Sequence, residues 1–128
     1  MNTLKDNNKK MAVINGGHFF DLSGFYEEVS QILMKDEDWK IVTLDGFDDI
    51  LYGFVGEILW KDSQKSKENL GFESTKEFYE NKIRQRKPFN IELIEQKLDH
   101  LISGNGQTLF EILVEIIKSH KNISLVLE

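Results

Sequence analysis

The sequence predicts an α/β fold: a small three-stranded parallel sheet packed with helices, in one domain of 128 residues. Three observations predict it. Short apolar runs recur near 11–16, 57–60 and 123–128. Stretches with helical spacing of apolar residues fill the intervals between them. Strands separated by helices pair in parallel, with right-handed crossovers that lay helices on the sheet faces.

Each element follows from local chemistry. MAVING at 11–16 is an apolar run ending in an Asn-Gly turn, which predicts a buried strand. DLSGFYEEVSQILM is a helix, with Ser23 as N-cap and Phe25, Val29, Ile32 and Leu33 at helical spacing. KDEDWKIVT is a polar loop carrying Trp39. LDGFDDILYG, from Leu44 to Gly53, is a second helix, capped by Thr43 or by Asp45 itself. EILW at 57–60 is the middle strand. DSQKSKENLGF is helical up to a C-terminal cap at Gly71. Ser74 and Glu77 form a capping box ahead of KEFYENKIRQ, and Pro88 ends that helix. Asn90 caps IELIEQKLDHLI, and Ile91, Ile94, Leu98 and Leu101 share one face. SGNGQ is a turn. Thr108 and Glu111 make a capping box that opens LFEILVEIIKSH. ISLVLE closes the chain as a buried strand.

Composition narrows the function. There is no cysteine, which excludes a disulfide framework and a thiolate metal site. The N-terminus is polar, without the apolar core of a signal peptide. No apolar run approaches the ~18 residues of a membrane span. A soluble cytoplasmic protein is expected, with no membrane partner. The net charge is −6, and it is unevenly spread. Residues 21–57 hold ten acids and two lysines, a net of −8, whereas residues 61–87 hold eight bases and five acids. An acidic field repels phosphates, which argues against direct nucleic-acid binding. It attracts a basic partner and steers its approach.

The acid excess includes the decapeptide LDGFDDILYG. On a helix turning ~100° per residue, Leu44, Phe47, Leu51 and Phe54 fall on one stripe. Asp45, Asp48, Asp49 and Tyr52 fall on another. Asp45 suits the first turn of a helix, where the backbone dipole favours an anion. Asp48 and Asp49 lie toward the other end, where it does not, and Asp45 and Asp49 repel each other at i, i+4. A locally unfavourable arrangement of this kind is expected at a functional site.

Three uses of the carboxylates can be weighed. A divalent metal site lacks an EF-hand loop, a histidine at helical spacing or a phosphate loop to support it. A carboxylate pair for acid–base catalysis needs a pocket and unequal partners, and neither is visible. A docking face for Arg and Lys on a basic protein needs only exposed carboxylates beside an aromatic anchor, and Trp39 stands just upstream. Accordingly no metal, cofactor or catalytic residue is assigned. His18, His100 and His120 are scattered and read as ordinary surface or packed residues. The basic stretch with Arg84, Arg86 and Lys87 reads as a solvated helix end.

These residues resemble the barstar family, the intracellular inhibitors of barnase-type ribonucleases. KKMAVINGGHFFDLSGFYEEV resembles the family's first strand and helix, LDGFDDILYG its inhibitory helix, and LFEILVEIIKSHKNISLVLE its last helix and strand. EILWKDSQKSKENL, with Trp60 and Ser66, is similar to the segment after the middle strand. The resemblance spans half to two-thirds of the chain. It implies an inhibitor, of antitoxin or immunity type, of a small basic ribonuclease. Asp45 and Asp49 would meet the cations that normally hold RNA phosphate, Trp39 and Thr43 would contact the enzyme, and Glu115 would lie at the interface edge. Asp48 replaces a family aromatic, and Ile41 stands where shorter members have a loop glycine. Residues 72–106 look like a helical insertion. The alternative expectation is the same fold serving a different basic partner.

Overall fold

In the computed structural model, which describes residues 10–128, the order of elements is β-α-α-β-α-α-α-α-β. The elements are β1 (Lys10–Asn15), α1 (Leu22–Leu33), α2 (Leu44–Leu51), β2 (Gly56–Lys61), α3 (Ser63–Asn69), α4 (Phe72–Gln85), α5 (Ile91–Ile102), α6 (Leu109–Lys118) and β3 (Ile123–Leu127). The expected α/β class holds: the three strands are all parallel, in the order β1-β2-β3. Residues 1–9, on which the expectation of no signal peptide rests, lie outside the described residues. Among the described residues no helix is long and apolar enough to cross a membrane.

Sequential strand order has a consequence for the layers. Right-handed crossovers from β1 to β2 and from β2 to β3 put both connections on the same side of the sheet. The helices accordingly cover one face, not both as expected. Ala12, Ile14, Ile58, Trp60 and Ile123 point into the main core, where they meet Phe25, Val29, Phe47, Leu51, Leu113 and Ile117. Met11, Val13 and Val126 alternate outward and are exposed. The first and last strands are therefore half-buried edges, a correction to their reading as buried strands. Gly56 opens β2 at φ +144°, and a Cβ there would strike the Lys10 backbone. Glycine thus permits the close approach of β1 to β2.

Aromatic packing centres on Trp60, which is fully buried. Its ring stacks on Phe25 at 5.4 Å and meets Phe110 edge-on at 5.1 Å. Its Nε1–H donates to Ser66 Oγ at 3.0 Å, so the indole's one polar atom is satisfied inside the core.

Three caps differ from expectation. Asp21, not Ser23, caps α1, its Oδ1 accepting from Gly24 N at 2.7 Å. Leu70, fully buried, ends α3 one residue earlier than expected, and Gly71 instead begins α4. Ser74 lies inside α4 and makes no capping box with Glu77. Its hydroxyl donates to Asn69 O at 2.5 Å, at the end of α3, while Thr75 Oγ1 donates to Gly71 O and accepts from Leu109 N. The hydroxyls join α3 and α6 to α4, a task the sequence window does not show. The other expected caps are present: Thr43 on α2, Asn90 on α5, and the full Thr108–Glu111 box on α6.

The segment read as an insertion forms a helical hairpin. α4 and α5 enclose a small core of Tyr79, Ile94 and Leu101, against which Phe78, Ile83, Phe89 and Leu98 pack. Phe78 also touches the main core, so the hairpin is fastened to the sheet domain.

Candidate functional site

The site is built on α2. Thr43 Oγ1 accepts from Gly46 N at 2.9 Å and starts the helix, and Asp45 lies in its first turn. Phe47 and Leu51 are buried, with the Phe47 ring edge-on to Phe25 at 5.2 Å. Burying that stripe turns the opposite one outward. Asp45 and Asp49 are exposed, one helical turn apart, and among the described residues neither is in an ion pair.

Asp48 behaves differently. It is half-buried, and its Oδ1 accepts a hydrogen bond at 2.7 Å from Nε2–H of His120, which is buried beyond the end of α6. The carboxylate can only accept, so the imidazole carries the proton on that nitrogen. The Tyr52 ring stands edge-on to His120 at 4.5 Å. The third aspartate thus has a partner within its own chain, and the pair ties α2 to the segment between α6 and β3. The sequence reading missed His120, since 72 residues separate it from Asp48.

The segment that carries the two carboxylates also exposes apolar groups. Trp39 is 53% exposed, Val42 71% and Tyr52 75%. Val42 was not singled out from the sequence; its neighbour Ile41 is the one that turns inward, fully buried, with its N–H donating to Ser30 Oγ. Trp39 lies beside two grooves, one lined by Glu27, Gln31 and Met34, the other by Leu33, Ile50 and Phe54. Glu115 is exposed on α6, which packs against α2, and accepts from Gln107 Nε2 at 2.7 Å. Trp39, Thr43, Asp45, Asp48 and Asp49 lie on α2 or the loop leading into it, and Tyr52 caps its C-terminal end. Glu115 reaches the neighbourhood through α6.

The field of Asp45 reaches two neighbours. Burial, and secondly the Asp45 charge, push the Tyr26 phenol well above its ordinary 10.0. Lys82, on α4, is held below its usual range by burial and then by Lys97, while Asp45 acts in the opposite sense. Its ammonium lies 4.4 Å from the Phe78 ring and 4.9 Å from the Phe89 ring. Leu44, Phe78, Lys82 and His100 line one cleft, so the helical hairpin flanks the start of the acidic helix.

The Tyr26 shift carries a pH dependence. The unfolded chain loses the phenolic proton near its ordinary pKa, while the folded chain keeps it to higher pH. Stability is therefore undiminished below about pH 10 and falls as the pH rises further. Tyr79, also raised by burial, adds to the same loss. Denaturant midpoints measured across that range should show the decline, and Tyr26→Phe should make it shallower.

Among the described residues no group of three His, Cys, Asp or Glu side chains is placed to hold a metal ion. A further polar cluster, around buried Glu28, lies at the end of β1. Glu28 accepts from Asn15 N at 2.9 Å and contacts His18 Nδ1 at 3.1 Å, which fixes the β1–α1 turn. Comparison with protein-family models, curated proteins and solved structures finds no match to this chain.

Proposed function

We propose that this chain is a proteinaceous inhibitor, of antitoxin or immunity type, that blocks the active site of a small basic ribonuclease in the cytoplasm. The observation that carries the reading is the pair Asp45 and Asp49: exposed, one turn apart and outside any ion pair among the described residues, with exposed Tyr52 on the same helical stripe. Asp45 gains from the helix dipole in the first turn, but its repulsion of Asp49 at i, i+4 and the position of Asp49 toward the C-terminal end are unfavourable within the chain. Both are stabilised when a partner brings arginines or lysines, since carboxylates accept charge-assisted and bidentate bonds. A ribonuclease must bind RNA phosphate, so its active site offers cations. The resemblance to the barstar family supplies the choice of enzyme.

Inhibition in this scheme is occlusion. The acidic face steers the enzyme in, the carboxylates take the place of phosphates, and exposed Tyr52 beside them helps to exclude water. No bond of the inhibitor is cut, and no cofactor or turnover is required. Asp48, held by His120, positions α2, while Asp45 and Asp49 make the principal contacts. Thr43 and Glu115 lie at the margins.

A second reading has its own support. The Asp48–His120 pair and the hairpin beside Asp45 both depart from the short family members, which favours the same fold with a changed basic partner. One experiment separates the two. The basic protein retained on immobilised wild-type chain is assayed for RNA cleavage while free chain is added. An inhibitor abolishes cleavage at one equivalent. Cleavage that persists in the saturated complex, or a captured partner without nuclease activity, overturns the inhibitor reading in favour of a binding module.

A further inference from the structure

The sheet face opposite the helices has no cover among the described residues. The strand register defines its pattern. Val13, Leu59 and Val126 are paired across β1, β2 and β3 and form one apolar row. On one side of it lies the row Met11, Glu57 and Ser124, and on the other Asn15 and Lys61. Val13, Val126 and Met11 are exposed, and Leu59 is half-buried between its neighbours. Glu57 and Lys61 point to the same face, about 13 Å apart along one strand, too far to pair with each other. Among the described residues neither is in an ion pair.

This pattern is its own complement. A two-fold axis laid along the middle row turns a second copy face to face, with its strands running the opposite way. The apolar row then falls on itself, Leu59 against Leu59. Glu57 falls opposite Lys61 of the second copy, and Lys61 opposite its Glu57. Isologous contacts require this reciprocity, and two sheets packing nearly aligned supply the geometry.

We infer that the open sheet face, centred on Leu59 and bracketed by Glu57 and Lys61, is an interface between two copies of this chain. The face spans three strands and five register positions, about 14 Å by about 17 Å, smaller than the ~800 Å² per partner of a standard interface, so the association is weak and concentration-dependent. The acidic helix lies among the helices on the other side of the sheet, so each copy keeps its carboxylates available. The inference is independent of the inhibitor reading.

Sedimentation equilibrium of the full chain tests it, over a range from about 10 µM to 1 mM that brackets weak association. The wild type should pass from monomer to dimer mass. Glu57→Lys and Lys61→Glu should each weaken the dimer at least tenfold, because each sets like charges opposite one another at both symmetric positions. The double reversal, Glu57→Lys with Lys61→Glu, should restore wild-type association. All these changes are on the solvent side of the sheet, and circular dichroism checks that the variants fold. Monomer mass at every concentration, as another segment of the same chain covering the face would give, overturns the proposal. So does a dimer that ignores the single reversals, or a double reversal that fails to restore it.

Discussion

If the proposed ribonuclease is the partner, replacing Asp49 with alanine is expected to weaken its binding by at least about 2 kcal/mol, roughly 30-fold. The lost carboxylate leaves a desolvated cation on the enzyme without its counter-charge, and that penalty adds to the lost bond. The same change should move folding stability by no more than about 0.5 kcal/mol, because an exposed side chain outside any ion pair holds nothing in place. Asp45→Ala should behave similarly in binding, with a small additional cost to the helix because Asp45 lies in its first turn. Calorimetric titration with the enzyme and a denaturant melt measure the two effects separately. Equal affinity of Asp49→Ala and wild type would remove the acidic helix from the interface.

The opposite face of the same helix should give the opposite result. Phe47→Ala is expected to cost about 3–5 kcal/mol of stability, the range for truncating a buried aromatic. Phe47 is fully buried, edge-on to Phe25, and Phe25 stacks on Trp60. The cavity would open where α2 rests on the core, so binding should weaken only as far as the helix loses its place. Urea midpoints for the variant measure the cost. A loss below about 1 kcal/mol would mean that α2 is held by something other than this stripe.

The two faces of α2 illustrate what a sequence can and cannot reveal. The apolar stripe and the aspartate stripe are properties of one short segment, so a helical wheel separates them correctly. The caps at Thr43, Asn90 and Thr108 were legible for the same reason: cap and helix start lie within four residues. Ser74 misled because its hydroxyl serves the carbonyl of Asn69 at the end of the preceding helix. The run Met11, Ala12, Val13, Ile14 has no polar residue to mark an outward face, so it reads as buried on both sides. Only the strand order reveals that one side is open. The Asp48–His120 bond joins segments that meet through the fold alone, and no local pattern announces it. The charge imbalance was visible from counting, but the division of labour among the three aspartates was not.

A map of where the proposed ribonuclease partner sits on the chain is the decisive measurement. Backbone amide resonances of the labelled chain, recorded with and without one equivalent of the enzyme, provide it. The largest shifts should fall on residues 39–52, with smaller ones near Glu115, and Asp45→Ala/Asp49→Ala should abolish them. Shifts confined to the sheet face or to the α4–α5 hairpin, with residues 39–52 unmoved, would contradict that placement.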